Sequence, residues 1–405
     1  MSISKIIIKA TNFFLILFVL FTVLPVKLNY SSITIILLSV ISIINLFYSK
    51  NINFKHDNYY IFIISIPFIV YTFGLINTSN LSYGFTILTK NLSFIAFPLI
   101  FFSLGKYINQ KKMYSSFLLG LSLTNLYLIY LFFYNFNFGT KFYMIVTLDV
   151  YHSTYLGMYN LFAFWVCINF FIKKSKKIYL FLALFFIISA LLTSARIIFI
   201  LSFLSIVTTI LILIKSNKIR VVTLLFTSLV SISILVTIPS FKQKFNQFLE
   251  LEKIGFDRNN YSSLSSRFGK IEASLEVIKN NLWFGTGTGD NIDELVKEYR
   301  EMKFVMGYKY RYNPHNQYLD NMVRNGLIGG SITLIVIYIL PIVVSFRRKD
   351  FLMLTFILII CSVSLTESIL NVQKGITFYV FFVILLLHKN FQKGSNLSNK
   401  IHDTI

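Results

Sequence analysis

Charge is scarce in this 405-residue sequence, and acid scarcest: charged residues make up 13%, with 16 Asp and Glu against 38 Lys and Arg. Beside 56% hydrophobic and 17% aromatic content, that scarcity excludes a soluble globular chain of this size. The two cysteines, Cys167 and Cys361, both fall inside apolar runs, so they read as packing residues and say nothing about redox compartment. Metal-ligating patterns are missing as well. There is no aspartate pair spaced by one residue, no HExxH and no cysteine cluster. No metal or other cofactor is therefore expected. Internal repeats, low-complexity tracts and a second soluble domain are also absent from the pattern.

What is present is a succession of apolar runs. A spanning helix needs about 20 apolar residues, and about twelve segments qualify: roughly 7–25, 30–48, 59–76, 84–104, 114–134, 152–172, 178–194, 196–214, 219–239, 318–345, 351–369 and 373–388. The expected fold is an all-α polytopic membrane protein of about 12 transmembrane helices with one large external helical loop. Its parts are residues 1–239 (helices one to nine), 240–317 (the external, periplasmic loop domain), 318–390 (helices ten to twelve) and 391–405 (a cytoplasmic tail).

The net charge of +22 does not call for nucleic acid, because its placement explains it. Most basic residues fall in alternate loops and termini, such as Lys173, Lys174, Lys176 and Lys177, whereas the short loops on the other side offer Lys27, Lys141 and Lys374. Positive residues stay cytoplasmic, so both termini are expected inside, facing anionic membrane lipids. The first run follows Lys5 and Lys9 but lacks a small-residue cleavage site, and reads as an uncleaved anchor.

One inter-helix segment, about Ser240 to Gln317, is long, and it holds ten of the 16 acidic residues. Near-balanced charge suits a folded unit, and loops this long are usually functional. In "SSLSSRFGKIEASLEVIKN" the residues Leu264, Phe268, Ile271, Leu275 and Ile278 recur at helical spacing. Ser262 or Ser263 can cap that helix, and a second helix is expected from Ile292 to about Phe304. Between them "NNLWFGTGTGDN" follows no strand and has no Walker lysine, so it reads as a tight turn that lets the backbone approach something closely.

Three polar residues stand out at the outer surface. Arg196, in "LLTSARIIFILSF", lies between two apolar runs on the side where cations are not favoured. Arg267 sits beside the apolar face of the external helix, where it can also pair with Glu272 or Asp257. Guanidinium groups bind phosphate oxygens bidentately and stay charged, so two arginines here suit a membrane-anchored diphosphate. His315, in "RYNPHNQYLDNMVRNGLIGG", follows Pro314, which pushes Asn313 toward an extended conformation and fixes the entry to the next helix. An imidazole at headgroup level can take a proton near neutral pH. Tyr312, Asn316 and Tyr318 can bond the ring or a sugar. Glu367 and His152 are further outer-surface candidates, the first also able to pair with Lys374 or Arg196.

Taken in order, "TSARIIF", "SSRFGKIEASLEVIKNNLWFGTGTGD", "NPHNQYLDNMVRNGLIGG" and "LTESILNVQKGITFYVFF" resemble the O-antigen ligase family, related to the Wzy-type O-antigen polymerases. The resemblance covers about Ser194 to Phe382. It implies a GT-C-type glycosyltransferase of the bacterial inner membrane whose periplasmic loop caps a cavity for an undecaprenyl-diphosphate-linked glycan. It further implies that Arg196 and Arg267 hold the diphosphate. His315 would be the general base for an inverting, metal-independent transfer to a hydroxyl of lipid A-core oligosaccharide. A polymerase, with a second lipid-linked glycan as acceptor, is the alternative within the class. A lipid-linked sugar transporter is the alternative outside it, for which Pro67 and Pro98 could interrupt helices.

Overall fold

Residues 3–26, 30–48, 59–136, 142–149, 152–237, 246 and 263–388 are described by a computed structural model. Every regular element among them is helical. That is the outcome apolar runs impose in lipid, where backbone groups without water must bond within their own segment. A helix stands at each expected apolar segment. Seven, beginning with Lys5–Val23 and ending with Gln317–Arg347, are long and apolar enough to cross a membrane. Shorter apolar helices, Tyr60–Phe73, Ile178–Leu192, Phe351–Ser364 and Gln373–His388, stand at four more of those segments. The ninth expected segment is the helix Asn217–Thr237. Two short helices, Phe142–Asp149 and Val305–Tyr310, were not foreseen. The tail 391–405 and the first part of the external loop, with Asp257 and Ser262, lie outside the described residues.

The core is aromatic. Ser153–Lys174 and Gln373–His388 run through the middle, the second with all its residues from Gly375 to His388 buried. Phe162 joins the two, its ring 4.9 Å from Phe382 and 4.7 Å from Phe356. Two buried polar side chains inside this body pair with each other: Asn125 Nδ2 donates to Asn160 Oδ1 at 2.7 Å.

Proline acts as the backbone chemistry requires. Pro67 falls in the first turn of Ile66–Phe73, where its missing N–H costs nothing, and Pro98 lies inside Ser93–Leu104. Pro341 has the largest local effect. Lacking an N–H, it cannot serve the carbonyl of Ile337 four residues back; the Tyr379 hydroxyl donates there at 2.7 Å, beside a π turn at Ile335–Ile339.

The glycine-rich turn does approach something closely: a break in the helix Gln317–Leu334. Gly326 takes φ 63° inside that helix, which removes the bonds from Leu327 and Ile328 back to Val323 and Arg324. The turn inserts into the gap and supplies all four partners. Leu327 N donates to Leu282 O at 2.7 Å and Ile328 N to Trp283 O at 3.2 Å. Thr286 N donates to Val323 O at 2.9 Å and Gly287 N to Arg324 O at 3.0 Å. A Cβ on Gly285, itself at φ 70°, would come within 2.4 Å of Gly326 N, so the two backbones meet only as glycines.

The helices between residues 263 and 310 have a small core of their own, with Ala273, Val277, Leu295, Tyr299 and Phe304 packed on Val323. The cap is also tied to the first half of the chain. Asp290 accepts from the backbone N–H groups of Ser79 and Asn80, both at 2.7 Å.

Candidate active site

The turn between Ile178–Leu192 and Arg196–Leu213 sets the first arginine. Ser194 is left-handed (φ 55°) and Ala195 extended, so the chain reverses within three residues and Arg196 opens the next helix. Arg267 comes from the cap helix Ser263–Asn280, and His152 from the N-cap position of Ser153–Lys174. Glu367 lies in the turn that follows Phe351–Ser364. These four line one cavity of about 210 Å³, together with Ile197 and Thr366.

His315 does not line that cavity but touches Glu367 on its wall. Its backbone is left-handed (φ 47°), a conformation of limited stability for a residue with a Cβ. Neighbouring asparagines hold it. Asn313 Oδ1 accepts from His315 N at 2.9 Å, and Asn316 Oδ1 caps the next helix by accepting from Tyr318 N and Leu319 N at 2.9 and 3.1 Å. The ring's Nδ1 then lies 3.0 Å from Glu367 Oε2, while His152 Nε2 lies 3.8 Å from Glu367 Oε1. Glu367 therefore bridges two histidines, partners the sequence reading did not name for it.

Glu367 is 9% exposed, and its carboxylate faces the His315 ring at hydrogen-bond distance. An ionised Glu367 makes His315 Nδ1 the protonated ring nitrogen and leaves Nε2 with a lone pair, the arrangement of an oriented general base. Arg196 and Arg267 are near enough for their charges to repel. Two like charges on the wall of one cavity favour an anionic occupant.

Lys270 was missed by the sequence reading. It is 6% exposed, one helical turn after Arg267, and its Nζ lies 4.4 Å from the centroid of Tyr312. Burial, and then the charge of Arg267, lower its pKa to about 8, with the negative charge of Glu367 opposing both. The i, i+3 spacing from Arg267 was a usable signal, since it puts both cations on one helix face.

The remaining sequence candidates divide. Tyr312 stands edge-on to His315 with ring centroids 6.2 Å apart, so it belongs to this group. Asn316 acts as the helix cap, and its Nδ2 donates to Leu365 O at 3.3 Å. Tyr318 turns toward the membrane body, donating to Cys361 O at 3.0 Å with its ring against Tyr338. Among the described residues no group of three or more His, Cys, Asp or Glu is placed to hold a metal ion.

Residues 180–334 match the family model described as O-Antigen ligase. That stretch contains Arg196, Arg267, Lys270 and His315, while Glu367 and His152 fall outside it. The chain is also similar to a protein of Haemophilus influenzae (strain Rd) described as an uncharacterized protein, 32% identical over 133 residues. The similarity covers 31% of this chain and 32% of the relative, so the chain matches about a third of that relative's length.

Proposed function

With residues 180–334 belonging to the O-antigen ligase family, we propose that this membrane protein is an inverting glycosyltransferase. It moves a glycan from undecaprenyl diphosphate to a hydroxyl of lipid A-core oligosaccharide at the periplasmic face of the inner membrane. The carrying observation is the His315–Glu367 contact at 3.0 Å beside a cavity lined by Arg196 and Arg267. In this reading both termini are cytoplasmic, the twelve apolar segments all span in a GT-C-like body, and residues 240–317 form the cap.

The step balances on these residues. His315 Nε2 takes the acceptor's hydroxyl proton while Glu367 holds the ring and offsets the imidazolium that forms. The acceptor oxygen attacks the anomeric carbon from the face opposite the diphosphate, and the sugar–phosphate C–O bond breaks with its electron pair passing to the phosphate oxygen. Arg196 and Arg267 meet the charge that develops there, with Lys270 adding a third cation, so preorganised side chains take the role a divalent ion has in other transferases.

The cavity chemistry fits a polymerase equally, since donor and leaving group are the same and only the acceptor differs. The lipopolysaccharide gel pattern of a deletion strain separates the two. Core bands bearing no repeat are expected. Core carrying a single repeat would assign the protein as a polymerase, and unaltered lipopolysaccharide would remove it from this pathway.

A further inference from the structure

We propose that Leu282, Trp283 and Phe284, although part of the external cap, are immersed in the outer edge of the bilayer and seat the cap on acyl chains. The proposal does not depend on the reaction catalysed. It starts from three consecutive large apolar side chains that are all exposed, Trp283 at 58% and Phe284 at 70%. From Asn280 to Gly289 the chain carries no charged residue, as entry into the interface requires.

Their depth follows from the helix they bond. Leu282 O and Trp283 O accept from Leu327 N and Ile328 N, so the tripeptide lies level with the first residues after the Gly326 break. The Gln317–Leu334 helix changes character at that point. Gln317, Asp320, Asn321, Arg324 and Asn325 are buried in protein before the break, whereas after it Leu327, Ile328, Ile332 and Ile335 are exposed. From Leu327 to Phe346 the run is apolar apart from small hydroxyl residues. At 1.5 Å per residue it is about 30 Å long, which is the hydrocarbon thickness by itself. The break therefore marks the outer boundary of the hydrocarbon, and Leu282–Phe284 stand at it.

The other side of the turn gives the same level. Thr288 N donates to Gly74 O at 3.1 Å and Asn77 Nδ2 to Gly285 O at 3.0 Å. Phe73, the last residue of the helix Ile66–Phe73, and Ile76 in the turn beyond it are exposed too, as is Ile69 one turn earlier. The tripeptide thus continues a lipid-facing surface shared by two membrane helices. A Trp at the headgroup boundary with apolar neighbours below is the arrangement of an interfacial aromatic belt.

Tryptophan emission tests this, because Trp165 and Trp283 are the two tryptophans of the chain. The full-length protein and Trp283→Phe are reconstituted in phosphatidylethanolamine–phosphatidylglycerol nanodiscs, and the difference between their emission reports Trp283 while the buried Trp165 stays in place. Lipids brominated near the top of the acyl chain are expected to remove most of that difference, and aqueous acrylamide little of it. Quenching by acrylamide with none by brominated lipid would put Trp283 in water and overturn the proposal. Protection from both would also overturn it, since protein would then cover the tripeptide.

Discussion

Arg324 and the pair Arg196–Arg267 are positive charges in a chain with few charges, and the protein treats them in opposite ways. Arg324 is 1% exposed, donates from Nη2 to Asp320 Oδ2 and Asn371 Oδ1, both at 3.2 Å, and lies 5.4 Å from the ring centroid of Tyr71. Its partners come from its own helix, from the turn before Gln373–His388 and from Ile66–Phe73, so the charge ties three elements together. Arg196 and Arg267 share a cavity wall with each other's charge in range. A neutralised, closed cluster supports the fold, whereas like charges facing a cavity gain most when an anion enters.

Substitutions should separate the two clusters, and the largest contrast is expected on the cavity side. His315→Ala should lower glycan transfer in proteoliposomes about 100- to 10,000-fold, the contribution of a positioned general base, with thermal unfolding unchanged. Normal transfer by that variant would end the general-base assignment. Arg324→Ala should show the reverse pattern. Leaving Asp320 as an uncompensated buried charge costs about 3–5 kcal/mol, read as a lower unfolding temperature. An Arg324→Ala, Asp320→Ala pair should recover part of that loss, and an unshifted single variant would contradict a closed ion pair.

Arg196→Lys keeps the charge but not the bidentate fork. Losing a charge-assisted hydrogen bond worth about 1.5–3 kcal/mol should weaken donor binding roughly ten- to a hundredfold while unfolding stays put. Unchanged binding and turnover would place Arg196 outside the site. Lys270 should give the smallest and most pH-dependent effect. With its pKa lowered to about 8, it is charged below that pH and neutral above, so apparent donor affinity should fall severalfold as pH rises through this range. Lys270→Arg should flatten the dependence, and a wild-type profile without a step there would show that Lys270 does not meet the donor.

Much of this was legible in the sequence because it is local. Apolar run length places the membrane helices, helical spacing places the cap helix around Arg267, and Asn291–Glu301 fulfils the second expected cap helix. The glycines of "GTGTG" announced a close approach without saying to what. The His315–Glu367 contact was not legible, because 52 residues separate the two and nothing periodic connects them. The sequence reading supplied Lys374 or Arg196 as partners for Glu367 for the same reason: it could weigh charge and level in the membrane but not which turns meet. Arg324 went unremarked because an i, i+4 pair with Asp320 looks like an ordinary exposed helix pair until the whole face is seen to be buried.

By itself the sequence determined the solvent, the helical class, the position of the polar cap between the ninth and tenth apolar runs, and the residue types available for phosphate and proton chemistry. Hydrophobic transfer and backbone hydrogen bonding act over one turn or one helix, and local pattern is enough to read them. Tertiary structure alone decided that the helix after His315 breaks at Gly326 and is repaired by the glycine turn. It also decided that Glu367 orients His315 and that one arginine is neutralised while two face a common cavity. Those outcomes depend on which distant backbones and charges come within about 3 Å, the range over which hydrogen bonds and contact ion pairs have most of their strength.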